Sequence, residues 1–504
     1  MVSTKKIAKN TLYLYFRMFL IMSISLYTVR LTLKILGVED FGIFGAIGGV
    51  VAAFASLSAV LSGASQRFYS LALGNERITE ISTILYSMLK VYLVVIILIF
   101  CLASTIGGWF VSNCLNYPVE RAYAVYVVFY SSLLSFLLVL VASPFQALII
   151  AKEDMGIYAY VSILEVLLKL ALVFGLSFID IDKLVLYGIL LLLVQLIISL
   201  TYILAVFFKY DEIRTKPHTC NTICKEILTF SGWTLFGSLA NMANVHGINI
   251  LLNIFFGPIV NAAYAIGNQI SYAVNSFAVN FFTAVKPGLI KSYASKDTKK
   301  MFSILELSSK FSFFLLFIMI LPLCLEIDLV LKIWLGKVGV YMEEFSILML
   351  LYILILNMNN PITTIIQAAG KVKLYHSIID SFTLLSIPLI IVAIKLGIES
   401  WKVFFINIFI FVIAHIIRMQ LLEYVTGYSK KVYFKKVLLP IGKLVIFSIS
   451  ICLALKLLPL YGMFSLCKIP LYCFSIMLLG WIFLLNQNER KKIKLVVINK
   501  FSKK

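Results

Sequence analysis

The chain has 504 residues, 62% of them hydrophobic and 13% charged, where a soluble domain is nearer half apolar and a quarter charged. That composition excludes a water-soluble fold for most of the chain and leaves an all-α integral membrane bundle, because apolar runs of about 20 residues recur and match a bilayer core of roughly 30 Å. The net charge of +21 sits in loops and helix ends, so it reads as membrane topology and contact with anionic lipid rather than as nucleic-acid binding.

Fourteen transmembrane spans are expected, the first six near 10–36, 41–72, 82–106, 121–149, 157–179 and 184–208. The first follows Lys5, Lys6 and Lys9, is too long for a signal-peptide core and lacks a small-residue cleavage site, so it is expected to stay as an anchor. Within it Ser23, Tyr27, Arg30 and Lys34 fall within about 60° of one another. They form either a cationic wall for an anionic substrate or, for Lys34, a side chain snorkelling to the interface. Arg17 lies on another face, nearer the cytoplasm. An ionisable group in hydrocarbon is costly and is expected to face a cavity or a partner. Gly42, Gly45, Gly48 and Gly49 in the second span read as a small-residue face for close helix approach. Glu165 and Lys169 in the fifth are an i,i+4 pair that either neutralises itself or responds to an H+ or Na+ gradient.

A basic cytoplasmic linker at 209–225 leads to spans near 227–256, 260–289, 303–330, 344–369, 374–397, 401–424, 437–459 and 468–487. His218, Cys220 and Cys224 in the linker supply three ligands where zinc needs four; no metal or other cofactor is expected. Span 7 puts His246, Asn249 and Asn253 on one face, with Asn241 and Asn244 on the other side. Span 8 puts Asn261, Tyr264, Asn268, Tyr272, Asn275 and Lys286 within about 80° of one another. Such a stripe suits a cavity, where Asn and Tyr offer donors and acceptors to sugar hydroxyls, or hydrogen bonds between helices. Pro287 is expected to kink or end that helix beside Lys286. Glu306 and Lys310 repeat the i,i+4 pattern in span 9. His415 and Arg418, three apart in span 12, add a further cationic candidate. Lys209, Arg214, Lys296, Lys299, Lys300, Lys430, Lys431 and the basic tail from Arg490 fall on one side of the membrane in this scheme, which places both termini in the cytoplasm.

Spans 2 and 8 align at an offset of 220: Gly37 falls on Gly257, Phe44 on Tyr264, Ala53 on Ala273 and Ser56 on Ser276. Later the offset is 217, with Pro144 on Pro361, Ile149 on Ile366, Ala151 on Ala368 and Tyr158 on Tyr375. A duplication of this length sets the architecture. It predicts a six-helix lobe at 1–208, a second at 226–424 inserted the same way up, a pseudo-two-fold axis along the membrane normal, and two additional helices with a basic tail at 425–504. Transporters built from such repeats bind substrate near the midplane. No phosphate-binding glycine loop or catalytic constellation is present, and the outer segments near 107–120 and 331–343 are short for an oligosaccharide polymerase or ligase.

Leu36-Gly37-Val38-Glu39-Asp40-Phe41-Gly42-Ile43, Ser65-Gln66-Arg67-Phe68, Ser143-Pro144-Phe145-Gln146-Ala147 and Ala151-Lys152-Glu153 resemble stretches of the bacterial O-antigen and capsule flippases. These belong to the multidrug/oligosaccharidyl-lipid/polysaccharide exporter (MOP) superfamily. Phe255-Phe256-Gly257-Pro258, Asn261-Ala262-Ala263, Lys286-Pro287, Lys291-Ser292-Tyr293-Ala294 and Ile333-Trp334-Leu335-Gly336 are similar to them too. The resemblance implies twelve core helices in two lobes with two extra. It implies movement of undecaprenyl-diphosphate-linked oligosaccharide to the periplasmic leaflet of the inner membrane, beside a polysaccharide polymerase and chain-length regulator. Arg30, Arg67 and Lys286, then Arg17 and Arg418, would meet the diphosphate and acidic sugars. The Arg-Asp pair that related peptidoglycan-precursor flippases carry in the first helix has no Asp here. A multidrug exporter of the same fold would need a more acidic or aromatic cavity.

Overall fold

A computed structural model describes residues 4–52, 55–113, 118–179, 181–214, 220–335, 338–457 and 467–485. The described residues are helical with no strand. Eleven of the helices are long and apolar enough to cross a membrane, and Lys468–Phe483 is a shorter apolar helix. The chain is a multi-pass α-helical membrane protein. His218 and the tail from Arg490 lie outside the described residues.

Two compact units form: 1–238 with 283–297, and 239–282 with 298–504. The first contains α1 (Thr4–Ala52), α2 (Ala55–Gly74), α3 (Glu80–Leu102), α4 (Gly108–Asn113), α5 (Ala122–Ala151), α6 (Met155–Leu176) and α7 (Lys183–Lys209). Next come α8 (Asn221–Phe256) and α9 (Pro258–Ala294), each of which starts in one unit and ends in the other. The second unit continues with α10 (Thr298–Leu325), α11 (Ile327–Leu335), α12 (Met342–Ala368), α13 (Val372–Leu384), α14 (Ser386–Lys395), α15 (Phe404–Thr426), α16 (Lys430–Tyr433), α17 (Leu439–Lys456) and α18 (Lys468–Phe483).

α1 runs from the first expected span into the start of the second, and α2 holds the rest of the second; α1 is broken at Gly37 (φ 81, ψ 169). That region of backbone space is open essentially to glycine alone. Its repeat mate Gly257 has φ 82 and separates α8 from α9. The duplication recurs in other left-handed residues: Glu76 (φ 59) matches Lys296 (φ 55) at 220, and Glu153 (φ 64) matches Gly370 (φ 75) at 217. Turn hydrogen bonds repeat with them. Arg77 N donates to Ala72 O as Asp297 N does to Ser292 O, and Asp154 N to Ile149 O as Lys371 N does to Ile366 O. Span 11 is split between α13 and α14 at Leu385, where Pro388 cannot donate back to Leu384.

In the first unit α5 is central, packed on α2, α3 and α7. Gly188 lets α7 approach Val128 so closely that a Cβ would stand 3.2–3.3 Å from it. Ile47, Val125, Val128, Phe129 and Leu184 form one fully buried cluster. Ser65, Tyr92 and Ser143 form a buried hydrogen-bonded chain from α2 through α3 to α5, at 3.1 and 3.2 Å. Arg121 bridges Asp40 and Asp182, each at 2.7 Å, while Asp182 caps α7 by accepting from Leu184 N and Val185 N.

At the other end, the Lys152-Glu153-Asp154 turn is a charged clasp. Lys152 pairs with Glu212 at 2.5 Å. Glu153 pairs with Lys291 at 2.8 Å and its carbonyl accepts from Asn10 at 3.0 Å. Asp154 accepts from Tyr210 and pairs with Lys209 at 3.3 Å. Burial, then the Asp154 carboxylate, pushes the Tyr210 phenol up. Partial burial opposes ionisation of Glu212, but its hydrogen bonds and the Lys152 charge prevail and hold its carboxyl below the usual range.

Two sequence expectations change. Gly45 and Gly48 do not mediate close approach: no atom stands within 4 Å of where a Cβ would sit, while the side-chain surroundings of Gly42 and Gly49 are outside the description. Glu306 and Lys310 do not pair with each other. Lys310 donates to Leu484 O (2.8 Å), and Glu306 accepts from Tyr428 (2.7 Å) and Lys436 (2.9 Å). The C-terminal addition thus offers each a better partner than its i,i+4 neighbour, and docks where Gly480 of α18 meets the Phe314 ring.

Candidate functional site

The second unit holds a partly open cavity of about 160 Å³ walled by α8, α9, α12 and α15. The α9 stripe supplies Tyr264, Asn268, Tyr272 and Asn275, with Ser271 between them. Gly267 makes this possible. A Cβ there would lie 3.0–3.1 Å from the Met349 sulfur and the Phe345 carbonyl, so any side chain at 267 would push α9 and α12 apart by a few tenths of an ångström.

Opposite stand Tyr352 of α12 and Asn407 of α15, with Asn241 and Asn244 of α8. The Asn244 side-chain N–H groups donate to Ser386 Oγ (2.5 Å) and the Thr383 carbonyl (3.3 Å), across the α13–α14 break. Asn275 Oδ1 accepts from Asn357 Nδ2 at 2.7 Å. Tyr264 donates to Val245 O at 3.1 Å. Tyr264 also packs edge-on against Phe404, and Tyr352 against Phe404 and Phe411. Four lining residues that are at least nine-tenths buried keep a polar atom without a hydrogen-bond partner: Asn244 Oδ1, Ser271 Oγ, Tyr352 Oη and Asn407 Oδ1. Buried polar groups are nearly always paired; these four atoms are unpaired, and they are packed among the helices rather than open to the cavity.

Helical geometry had set Asn241 and Asn244 apart from the stripe. The structure puts these two on the cavity wall, whereas Asn249 is not among its lining residues. The side chains of His246, Asn253 and Asn261 lie outside the described side chains. Ser271, Tyr352, Asn357 and Asn407 were missed. Tyr352 and Asn407 are isolated polar positions in apolar runs, which periodicity does not flag, and Asn357 opens a short run with Asn359 and Asn360.

The cationic candidates fall elsewhere. Ser23, Tyr27, Arg30 and Lys34 form one exposed face of α1, with the Tyr27 ring 6.3 Å from Phe174. Arg17 lies 4.4 Å over the Tyr158 ring and its Nε has no hydrogen-bond partner. Lys286 is in the first unit, its Nζ 3.9 Å from the Cβ position of Gly63. The helix runs through Pro287 to Ala294 instead of ending at the proline. Among the described residues Arg17, Arg30, Lys34 and Lys286 have no ion pair. Arg67 is clamped between Phe68 (5.1 Å) and Phe230 (4.8 Å), within electrostatic reach of Glu226. Glu165 and Lys169 close on each other at 2.6 Å.

Arg418 is buried in the second unit and donates to Tyr375 at 2.9 Å, while its Nη1 has no partner. His415 shares a 2.7 Å hydrogen bond with Asn359. Together they pin α15 to α12 and α13. Among the described residues no cluster of His, Cys, Asp and Glu could hold a metal ion.

The fold resembles solved transporters. An outward-facing multidrug resistance MATE family transporter of the MOP superfamily superposes with a TM-score of 0.73 at 14% identity, over 84% of this chain and 96% of that one. The MATE transporter ClbM in complex with Rb+ gives 0.67 at 17% identity, over 85% and 96%. A MATE transporter in the bent conformation gives 0.69 at 13% identity, over 85% and 97%. No curated protein matches the chain. The model of the family described as "Polysaccharide biosynthesis protein" matches residues 7–293. With more than half its length inside that match, and with a MATE-type helical fold, this chain belongs to the polysaccharide biosynthesis protein family of membrane proteins.

Proposed function

We propose that the protein is a flippase. It would carry undecaprenyl-diphosphate-linked oligosaccharide repeat units, destined for O-antigen, capsule or exopolysaccharide, from the cytoplasmic to the periplasmic leaflet of the bacterial inner membrane. Both termini would be cytoplasmic. The carrying observation is the set of intramembrane cations without ion pairs, Arg17, Arg30, Lys34 and Lys286, on a family member with a transporter fold. Unpaired charge in hydrocarbon is costly unless a counter-ion arrives, and a lipid diphosphate is an anion that arrives through the bilayer. Arg67 and Arg418, already stacked or hydrogen-bonded, would shape the path and hold the helices.

In this reading the protein needs no cofactor and works by alternating access. Coupling to an H+ or Na+ gradient would act at Glu165 and Lys169 by opening their ion pair. A polysaccharide polymerase and a chain-length regulator would take the product. The multidrug transporters with this fold support a second reading, export of organic cations, but a set of unpaired lysines and arginines would repel such substrates.

The test is complementation of a flippase-deletion strain with Arg30→Ala and Lys286→Ala at equal expression. Loss of surface polysaccharide in both, with the protein still in the membrane, supports the reading. Full restoration by both overturns the diphosphate assignment. Accumulation of lipid-linked single repeats on the periplasmic side of the deletion strain would instead reveal a polymerase.

A further inference from the structure

We infer that the exposed face running from α16 into the start of α17 binds the headgroup of an anionic phospholipid. The occupant is a lipid of the bilayer itself, not the transported one, so the inference stands apart from the flippase reading.

Charge comes first. Residues 427–443 hold Lys430, Lys431, Lys435, Lys436 and Lys443 and no Asp or Glu. A cluster of lysines where a transmembrane helix meets the membrane surface attracts anionic lipid. Basicity alone is spread over many loops of this chain and defines no site; the partners of these lysines narrow it. Lys430 lies 3.6 Å from Glu423, and Lys436 lies 2.9 Å from Glu306. Lys431, Lys435 and Lys443 are exposed and make no ion pair among the described residues.

Helix geometry lines up those three. Tyr433, Val437 and Ile441, spaced by four, are buried. Lys431, Lys435, Leu439 and Lys443, also spaced by four, are exposed. In a regular α-helix a four-residue spacing drifts by about 40° per step, so both rows would wind around the helix. Here a wider turn of the π type occupies Phe434–Leu438. Its i→i+5 bonding takes more residues per turn and offsets part of that drift, so each row keeps its face. Lys431 and Lys435 stand about 6 Å apart along the axis, and Lys443 follows about 12 Å further on. Lys443 lies one turn inside α17, and its long stem lets the ammonium snorkel back to the surface.

Apolar groups decide between a lipid and a soluble polyanion. Val432, Phe434 and Leu439 are 37%, 56% and 43% exposed beside the free lysines. A nucleic acid or an acidic peptide would leave them in water. A phospholipid covers them with its acyl chains, while its phosphate meets the ammonium groups in charge-assisted hydrogen bonds. The segment has no carboxylate to receive the cationic end of a zwitterionic headgroup, which favours a headgroup of net negative charge.

The experiment is native mass spectrometry on the purified full chain in detergent, titrated with phosphatidylglycerol, phosphatidylcholine or undecaprenyl diphosphate. Phosphatidylglycerol is expected to stay bound, and phosphatidylcholine to bind more weakly. A lysine near an anionic surface contributes about fivefold. Lys431→Gln, Lys435→Gln and Lys443→Gln combined should therefore weaken phosphatidylglycerol binding about a hundredfold. The control combines Lys225→Gln, Lys299→Gln and Lys371→Gln, three exposed lysines at other helix ends that make no ion pair among the described residues. It removes the same charge and should leave binding nearly unchanged. Thermal midpoints of both variants should match the wild type, because every replaced side chain is exposed. An equal loss in the control overturns the inference, because the attraction would then belong to the net charge and not to this face. Equal binding of phosphatidylcholine overturns it too. So does retention of undecaprenyl diphosphate in place of phosphatidylglycerol, which would make this face a surface for the transported lipid.

Discussion

Replacing Glu153 separates two energies that the clasp combines. Its side chain is only 3% exposed and pairs with Lys291, which is 19% exposed, at 2.8 Å. Removing one partner of a buried pair costs about 3–5 kcal/mol, and the partial access of water to Lys291 favours the lower end. Glu153 also sits at φ 64, where a residue with a Cβ is strained by about 1–2 kcal/mol. At the matching position the second repeat has Gly370, at φ 75. Glu153→Ala should therefore lose the pair and keep the strain, destabilising by about 3 kcal/mol. Glu153→Gly loses the same pair but relieves the strain, so it should be the more stable of the two by about 1–2 kcal/mol. Pulse proteolysis in denaturant, on protein in one detergent, reads this order. Equal stability of the two variants would refute stored strain at 153. Wild-type stability in both would refute a contribution from the ion pair.

Other consequences follow from the same geometry. Gly74→Val would put its Cβ 2.6 Å from Lys291 O and from the Ala294 Cβ; overpacking of this kind costs about 1–3 kcal/mol, so the thermal midpoint should fall while Gly45→Ala leaves it nearly unchanged. Gly37→Ala should cost about 1–3 kcal/mol, because φ 81 with ψ 169 is open essentially to glycine alone; a stable Gly37→Ala protein would contradict the kink. The carboxyl of Glu212 is lowered in the folded state, so its contribution is complete above its usual value of 4.5 and is lost as pH falls through the lower folded value. Hydrogen exchange at 152–154 and 210–214 should speed up over that acid range, and Glu212→Gln should remove the pH dependence.

The sequence is most legible where one helix carries the signal alone. Four stripe residues of α9 repeat on one face at helical spacing, and the structure puts Tyr264, Asn268, Tyr272 and Asn275 on one cavity wall. The duplication is equally readable, because a glycine that must take φ near 80° leaves a fixed mark at 37 and again at 257. What needs a second element is not readable. Tyr352 and Asn407 look like stray polar residues until α12 and α15 bring them to the α9 stripe. Asn244 was set on the side of α8 away from His246, Asn249 and Asn253, and which side meets the cavity has no label until the neighbouring helices are known. The Glu306–Lys310 pair met the local rule and lost to partners more than a hundred residues away. The division of α8 and α9 between two compact units follows from packing and not from chain order. Several motif residues behind the flippase resemblance hold helices together: Ser65 and Ser143 tie them through Tyr92, Asp40 holds Arg121, and Glu153 holds Lys291.

Reconstituted flipping tests the central claim most directly. Undecaprenyl-diphosphate carrying one oligosaccharide repeat is placed in the outer leaflet of proteoliposomes holding this protein, and its protection from an external glycosidase is followed with time. The account predicts protection that grows only with protein present and falls sharply with Lys286→Ala. Protein-independent protection, or movement of an organic cation in place of the lipid-linked sugar, would contradict it.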